Sequence, residues 1–245
     1  MRCCGGDGVV INPSAVDWFR REFRTYQSLR RPFLPELLGF SDDGEVPALA
    51  LEDLSGAQWP PPWQDGQVGA VFDALAVVHA APPPTHLRPV GPDKLGWPSV
   101  AADPRAFLGL GLCSEAWLTS ALPSLLEAAS DAPLAGDALV HVDVRSDNVC
   151  FRDGHALIVD WVAAGIANPD LDVAAWLPSL AAEGGPPPES ILPNAGELAA
   201  WASGFFGSRA GLPPIPEAPF VRGLQLSQAR TALAWAARVL RLATP

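Results

Sequence analysis

One stretch of this 245-residue sequence concentrates side chains that could do chemistry. Asp143 follows His141 by two positions, Asn148 follows Asp143 by five, and Asp160 comes twelve positions later. Carboxylate and amide oxygens bind hard cations such as Mg²⁺, and a carboxylate can also act as a general base. Because no cluster of histidines or cysteines accompanies them, a softer metal is not indicated. The residue types therefore predict a site for a hard cation such as Mg²⁺.

A β-hairpin is predicted to bring these side chains together. Asp153-Gly154 is a strong turn signal between two apolar runs. A two-residue loop places Asn148 opposite Val159, whereas a three-residue loop places Asn148 opposite Asp160. In both registers the two side chains lie within reach of one ion, because facing strand positions are roughly 5 Å apart. Each polar residue alone is also typical of a turn, and it is their joint spacing that indicates a site.

The first part of the chain predicts a small α+β unit. Residues 9–11 indicate a strand after a glycine-rich turn, and a helix follows that ends before Pro32. Two apolar segments, 37–40 and 46–51, indicate a hairpin because a polar turn separates them. Beyond the hairpin the pattern becomes mainly helical, with Ser114 as a predicted helix cap and the hairpin of Asp153-Gly154 inside it.

Composition limits the class of protein. Acidic residues outnumber basic ones 27 to 16, giving a net charge of −11, so a nucleic-acid partner is not expected. No stretch is long and apolar enough to predict a membrane span. The four cysteines form no C-x-x-C pair, which favours a reduced, cytoplasmic protein without structural zinc. We expect a monomer or homodimer that binds a small molecule.

The chemical stretch resembles the aminoglycoside phosphotransferase family, whose members are relatives of protein kinases. The resemblance rests on His141-x-Asp143-x-x-x-x-Asn148 followed by Ile158-Val159-Asp160-Trp161. Three further segments are similar to family elements. Residues 168–174 resemble the D-P-x-x-D-L-A element, and residues 49–56 resemble the nucleotide hinge. Residues 20–29, which include Glu22, resemble the first long helix. The resemblance covers most of residues 9–242.

The resemblance implies an α+β, protein-kinase-like two-lobe fold. Residues 1–54 would form a partial N-terminal nucleotide lobe that ends in the hinge. Residues 55–245 would form the helical C-terminal lobe, which contains the catalytic β-hairpin and binds the acceptor.

The resemblance also implies roles for the residues of the site. Asp143 would be the catalytic base for a hydroxyl of the substrate, and Asn148 and Asp160 would hold Mg²⁺ on the phosphates of ATP. His141 would brace the loop by hydrogen bonds. Asp172 would tie the following helix to that loop.

Two further assignments follow from the same resemblance. Arg145 would steady the loop or contact the transferred phosphoryl group, with an ion pair to Asp147 or Asp172 as an equal alternative. The backbone of Glu52 and Leu54 would hydrogen-bond adenine.

The N-terminal lobe departs from the family pattern. The position of the family's ATP-binding lysine falls near Asn12, and the sole lysine, Lys94, lies beyond the hinge. A catalytically impaired, truncated homologue is therefore an alternative to an active kinase. A metal-dependent phosphohydrolase using His141, Asp143, Asp147 and Asp160 is a more distant one.

The sequence indicates the identity of the acceptor less clearly than it indicates the reaction. The family resemblance implies an aminoglycoside-like antibiotic or a related metabolite, with antibiotic resistance as the commonest role. In residues 161–245 six acids are nearly balanced by five arginines, so charge gives little support for a cationic acceptor. Four tryptophans could line an acceptor pocket, although such residues more often belong to the core: Trp161, Trp176, Trp201 and Trp235.

Overall fold

The structure is a computed structural model that describes residues 13–29, 32–91 and 95–245. The predicted strand at 9–11 and the glycine-rich turn before it lie outside these residues, as do Asn12 and Lys94.

The helices of the described residues alternate with short strands in the first two thirds of the chain and then occupy the remainder. In chain order they are α1 (Pro13–Leu29), α2 (Gln67–His79), α3 (Trp97–Ala102), α4 (Arg105–Leu108), α5 (Glu115–Ser130), α6 (Asp170–Ala182), α7 (Pro188–Ile191), α8 (Gly196–Ala210) and α9 (Val221–Val239).

The described strands form three separate antiparallel pairs, β1 with β2, β3 with β6 and β4 with β5. Their bounds are β1 (Leu37–Ser41), β2 (Ala48–Leu51), β3 (Ala138–Val140), β4 (Val149–Arg152), β5 (His155–Ile158) and β6 (Gly165–Ala167).

Helix α1 packs against the β1–β2 hairpin, as an amphipathic helix beside a small sheet should. The rings of Phe23 and Phe40 stack with their centroids 3.9 Å apart. Arg20 Nε donates to Asp42 in the turn between the strands at 2.8 Å. These contacts join the helix and the hairpin predicted from the sequence.

The later helices surround a core rich in tryptophan. Trp97, Trp161, Trp176 and Trp235 are fully buried. Helix α8 packs against both α5 and α9. The hydroxyl of Ser114 accepts a hydrogen bond from Trp117 N at 3.1 Å, so the predicted cap of α5 is confirmed. None of the helices in the described ranges is both long and apolar enough to span a membrane.

The β3–β6 pair was not predicted, so the helical region contains more than one strand pair. Each strand has three residues, too few to show an alternating pattern. A glycine before β3 allows a close approach to the end of β6, because a Cβ on Gly136 would lie 2.6 Å from the backbone of Ala167. On the other side of β6, a Cβ on Gly165 would lie 2.7 Å from Val90, so this glycine gives room to the segment that bridges Ile166.

Candidate active site

The β4–β5 hairpin fixes the register of the candidate site. Val149 pairs with Ile158 and Arg152 with His155, so Asp153-Gly154 forms a two-residue loop. Val159 N donates to Asn148 O at 2.9 Å. Of the two registers that the sequence left open, the structure has the one with Asn148 opposite Val159. Asp160 follows one residue later.

Asn148 and Asp143 are joined directly. The Nδ2 of Asn148 donates to Asp143 O at 2.9 Å and to Asp143 Oδ2 at 3.0 Å. Asn148 is buried. Because Nδ2 is used in this way, the amide oxygen of Asn148 is left as the atom that can bind a cation.

The side chain of Asp172 anchors the start of the loop. Its carboxylate accepts hydrogen bonds from His141 N at 3.0 Å and from Val142 N at 2.5 Å. His79 Nε2 lies 2.9 Å from the same carboxylate. Val142 has a φ of 70°, an unfavourable value for a β-branched residue. The buried carboxylate thus offsets backbone strain at Val142, the residue directly before Asp143.

His141 holds the two ends of the site together. Its Nε2 lies 3.0 Å from Val159 O, which can only accept a hydrogen bond, so Nε2 carries a proton. Nδ1 then accepts from Asp143 N at 3.3 Å. The ring packs edge-on against Trp161 at 4.7 Å between centroids. His141 therefore contacts the residues on either side of Asp160 as well as the loop of Asp143.

Arg145 pairs with acids of its own loop. Its Nε lies 2.7 Å from Asp147 Oδ1 and its Nη2 lies 3.6 Å from Asp143 Oδ2. Of the two ion pairs considered from the sequence, the pair with Asp147 is present. Arg145 thus places positive charge beside Asp143.

The carboxyl group of Asp143 is a stronger base than a free aspartate. Burial raises its pKa, and the Arg145 guanidinium and the His141 ring nearby only partly oppose that rise. A raised pKa improves proton abstraction by a carboxylate.

Helix α1 contacts the segment around Asp160. Arg21 Nη2 donates to Ala164 O at 3.0 Å. Burial and, to a lesser extent, the neighbouring Asp160 carboxylate raise the pKa of Glu22 to about 7. Asp160 itself has a φ of 63° and turns the chain out of β5. Two acidic groups therefore converge where a cation is expected.

The described residues contain no group of three or more histidine, cysteine, aspartate or glutamate side chains that could hold a metal. A cation at this site would depend on Asn148 and Asp160, with its remaining ligands supplied by water or phosphate. Mg²⁺ commonly binds in that way.

Glu52 and Leu54 lie in a separate segment after β2. Glu52 N donates to Glu36 O at 2.9 Å, while Leu54 O accepts from Ala57 N at 3.0 Å. The Glu52 carbonyl and the Leu54 N–H have no hydrogen-bond partner within the described ranges. The Glu52 side chain pairs with Arg152 of β4, which links this segment to the catalytic hairpin.

Glu183 is a contact that sequence reasoning missed. Its carboxylate accepts from Ser146 Oγ at 2.6 Å and from Trp63 Nε1 at 2.8 Å. Glu183 follows the last residue of α6, and Asp172 lies in the first turn of that helix. Helix α6 therefore holds the loop 141–148 from both of its ends. An acid after a helix gives no local signal of such a role.

A family model described as the phosphotransferase enzyme family matches residues 11–212, most of the chain. No curated protein sequence matches significantly.

Solved structures share the fold. A thermostable mutant of aminoglycoside phosphotransferase APH(4)-Ia, in complex with AMP-PNP and hygromycin B, is 20% identical with a TM-score of 0.56, covering 93% of this chain and 83% of that one. An aminoglycoside phosphotransferase from Alicyclobacillus acidocaldarius is 15% identical with a TM-score of 0.54, covering 94% and 84%. ADP-bound APH(2'')-Ib is 13% identical with a TM-score of 0.52, covering 91% and 86%. The predicted α+β, kinase-like fold and the family resemblance are confirmed.

Proposed function

Since this chain belongs to the phosphotransferase enzyme family, we propose that it transfers the terminal phosphoryl group of ATP to a hydroxyl group of a small molecule. One observation carries the proposal: Asn148 Nδ2 binds both the backbone and the carboxylate of Asp143, next to the strand end that presents Asp160. The arrangement puts a candidate base and two candidate cation ligands in one place.

The donor set suits Mg²⁺. Asn148 would contribute its amide oxygen and Asp160 its carboxylate, both hard oxygen ligands. The Asn148 amide is already oriented by Asp143, which reduces the cost of ordering it on binding. Bound Mg²⁺ would neutralise charge on the nucleotide phosphates, the main requirement of phosphoryl transfer.

Asp143 would act on the acceptor. Its carboxylate takes the proton of the acceptor hydroxyl as the hydroxyl oxygen forms a bond to the terminal phosphorus, and ADP leaves with the bridging oxygen. The raised pKa of Asp143 favours that proton transfer. His141 keeps the Asp143 backbone in place, and Arg145 would steady the loop or contact the transferred group.

Adenine would bind at the segment after β2. The Glu52 carbonyl accepts and the Leu54 N–H donates, and a donor and an acceptor two residues apart suit the edge of a purine. In this proposal residues 1–54 form a nucleotide lobe that ends here, and residues 55–245 form the catalytic and acceptor-binding lobe.

The acceptor belongs to the class of hydroxyl-bearing antibiotics or related metabolites. Similar solved structures are named as complexes of aminoglycoside phosphotransferases with hygromycin B and with gentamicin, which supports that class. We further propose that the protein acts in the cytoplasm, as a monomer or homodimer, with antibiotic resistance as the role to test first.

The test is ADP production from Mg·ATP across a panel of hydroxylated acceptors. With an accepted substrate, Asp143→Ala should lower kcat by about 10²–10⁴-fold, the contribution of a general base. Asp137→Ala is the control, since Asp137 is an exposed acid six positions before Asp143 and lies outside the loop. It should retain kcat within about threefold. Equal kcat values for Asp143→Ala and Asp137→Ala would contradict the role of Asp143.

Two other outcomes would favour the alternatives. A folded chain that binds no Mg·ATP would favour a catalytically impaired homologue. Phosphate release that needs Mg²⁺ but no acceptor would favour a phosphohydrolase.

A further inference from the structure

We propose that a cavity between α3, α5 and α8 binds an uncharged, apolar part of the acceptor; this inference rests on the proposed function and narrows its substrate class. The cavity has a volume of about 330 Å³. Small-molecule sites begin at roughly this volume, so it can take a ring or a branched alkyl group.

The lining of the cavity is apolar. It includes Trp97, Leu126, Ala129, Leu134, Trp201 and Phe205, and none of its described residues is charged. Its one side-chain hydroxyl, Ser130 Oγ, donates to Glu127 O at 2.8 Å and so is used within its own helix. A polycationic ligand needs carboxylates to replace its hydration, and this lining offers none. Apolar surface is what the cavity can desolvate favourably.

Two aromatic residues provide the largest part of the wall. The rings of Trp201 and Phe205 lie 5.1 Å apart on successive turns of α8. The Arg209 guanidinium lies 3.6 Å from the Phe205 ring centroid, and its Nη1 donates to Phe205 O at 3.0 Å. Phe205 is therefore held in place before a ligand arrives, which lowers the entropy cost of binding.

The opposite wall is also fixed. Trp97 Nε1 donates to Ala200 O at 2.8 Å. Gly204 permits this approach, because a Cβ there would lie 2.6 Å from the Trp97 ring. A cavity between helices whose side chains are anchored in this way is preformed.

Two residues of the cavity wall also support the loop of the candidate base. Trp201 and Leu134, which both line the cavity, pack on the buried cluster of Val140, Ala167 and Leu171. Val142 packs on the same cluster and directly precedes Asp143. The cavity wall and the loop of Asp143 therefore share one buried support. An acceptor whose hydroxyl reaches Asp143 would place its apolar part in this cavity.

The experiment uses the whole chain and N-phenyl-1-naphthylamine, an uncharged aromatic probe that fluoresces on leaving water. The wild type should bind it saturably at one site. Ala129→Phe and Ala132→Phe, which fill the cavity from its wall, should each weaken binding at least about tenfold, equal to ~1.4 kcal/mol. Ala76→Phe makes the same substitution at an exposed helical position and should change nothing. Kanamycin, a polycation, should not displace the probe.

Three results would overturn the proposal: no saturable probe binding, equal binding by folded filling variants and Ala76→Phe, or displacement by kanamycin. For an acceptor that the enzyme turns over, Ala129→Phe should raise the acceptor KM at least about tenfold and leave the KM of ATP unchanged. An unchanged acceptor KM would be a fourth result that overturns the proposal, because it would show that the cavity does not bind the acceptor. Binding of Mg·ATP is measured in a separate titration without the probe. A chain that binds the probe but no Mg·ATP would contradict the proposed function and not the presence of an apolar site.

Discussion

Single side chains in the loop 141–148 act through their neighbours as much as through their own chemistry. Asn148 donates from its amide nitrogen to Asp143 and keeps its oxygen available, so one residue both orients the candidate base and leaves an oxygen for the proposed cation. His141 uses its two ring nitrogens on Asp143 and Val159. The loop geometry is therefore determined by a few polar contacts in a buried setting, where each contact counts for more than in water.

Cys150 illustrates how burial affects a residue that performs no chemistry. It lies in β4, is fully buried, and desolvation raises the pKa of its thiol to about 11. The unfolded thiol ionises near pH 8.5. Between that pH and about 11 the unfolded state therefore loses a proton that the folded state keeps. The contribution of the protonated Cys150 thiol to the free energy of unfolding is therefore complete below pH 8.5 and falls as the pH rises above that value.

We expect the free energy of unfolding of the wild type to fall, relative to that of Cys150→Ala, by up to ~1.4 kcal/mol per pH unit in this window. Urea titrations at intervals from pH 8 to 10.5 measure it. Parallel pH profiles for the two proteins would show that the Cys150 thiol ionises as easily folded as unfolded.

Among the elements, α6 has the greatest effect on the site. Asp172 in its first turn receives the N–H groups of His141 and Val142, and Glu183 beyond its last turn receives the hydroxyl of Ser146. The loop 141–148 is therefore attached to α6 near both of its ends. A loop held in this way can keep Asp143 in place without a bound ligand.

Removing the Asp172 carboxylate should destabilise the fold. Asp172→Ala leaves two buried N–H donors and His79 without their acceptor, and we expect a loss of about 3–5 kcal/mol in the free energy of unfolding. Asp170→Ala is the control, because Asp170 is an exposed acid two residues earlier in the same turn. It should cost no more than ~1 kcal/mol. Similar urea midpoints for both variants would refute the anchoring role of Asp172.

Glu183 and Ser146 should be coupled. A double-mutant cycle with Glu183→Ala, Ser146→Ala and the double variant should give an interaction energy of about 1–2 kcal/mol in unfolding. As Glu183 positions the loop and touches no substrate, we expect its loss to lower kcat more than it raises the KM of ATP. Glu183→Gln, which keeps an acceptor, should recover part of kcat. If the effects of the two single substitutions on the free energy of unfolding were additive, the 2.6 Å contact between Ser146 and Glu183 would not contribute to stability.

The sequence predicts well those elements that depend on local signals. Asp153-Gly154 specifies the turn and therefore the hairpin, and Ser114 caps α5. Contacts between distant segments give no such signal. Glu183 meets Trp63 across 120 positions of sequence. The three-residue strands β3 and β6 pair although β4 and β5 lie between them in the sequence.

For the molecule as a whole, the four tryptophans considered from the sequence have different surroundings. Trp161, Trp176 and Trp235 are fully buried and support the core, whereas Trp201 is partly exposed and lines the cavity between α3, α5 and α8. Trp97 does both, since it is fully buried and also lines the cavity. The packing of α8 against α5 and α3, which brings these linings together, cannot be predicted from residue type.

The proposed function requires that the whole chain bind a nucleotide through Asn148 and Asp160. Calorimetric titration of the purified chain with Mg·ATP tests this without knowledge of the acceptor. We expect binding in the micromolar range by the wild type and by Asp170→Ala. Asp160→Ala should weaken it at least about 100-fold, or ~2.7 kcal/mol, because it removes the carboxylate that we propose as a ligand of Mg²⁺. No binding by a folded wild-type chain, or equal binding by Asp160→Ala, would contradict the assignment of this site.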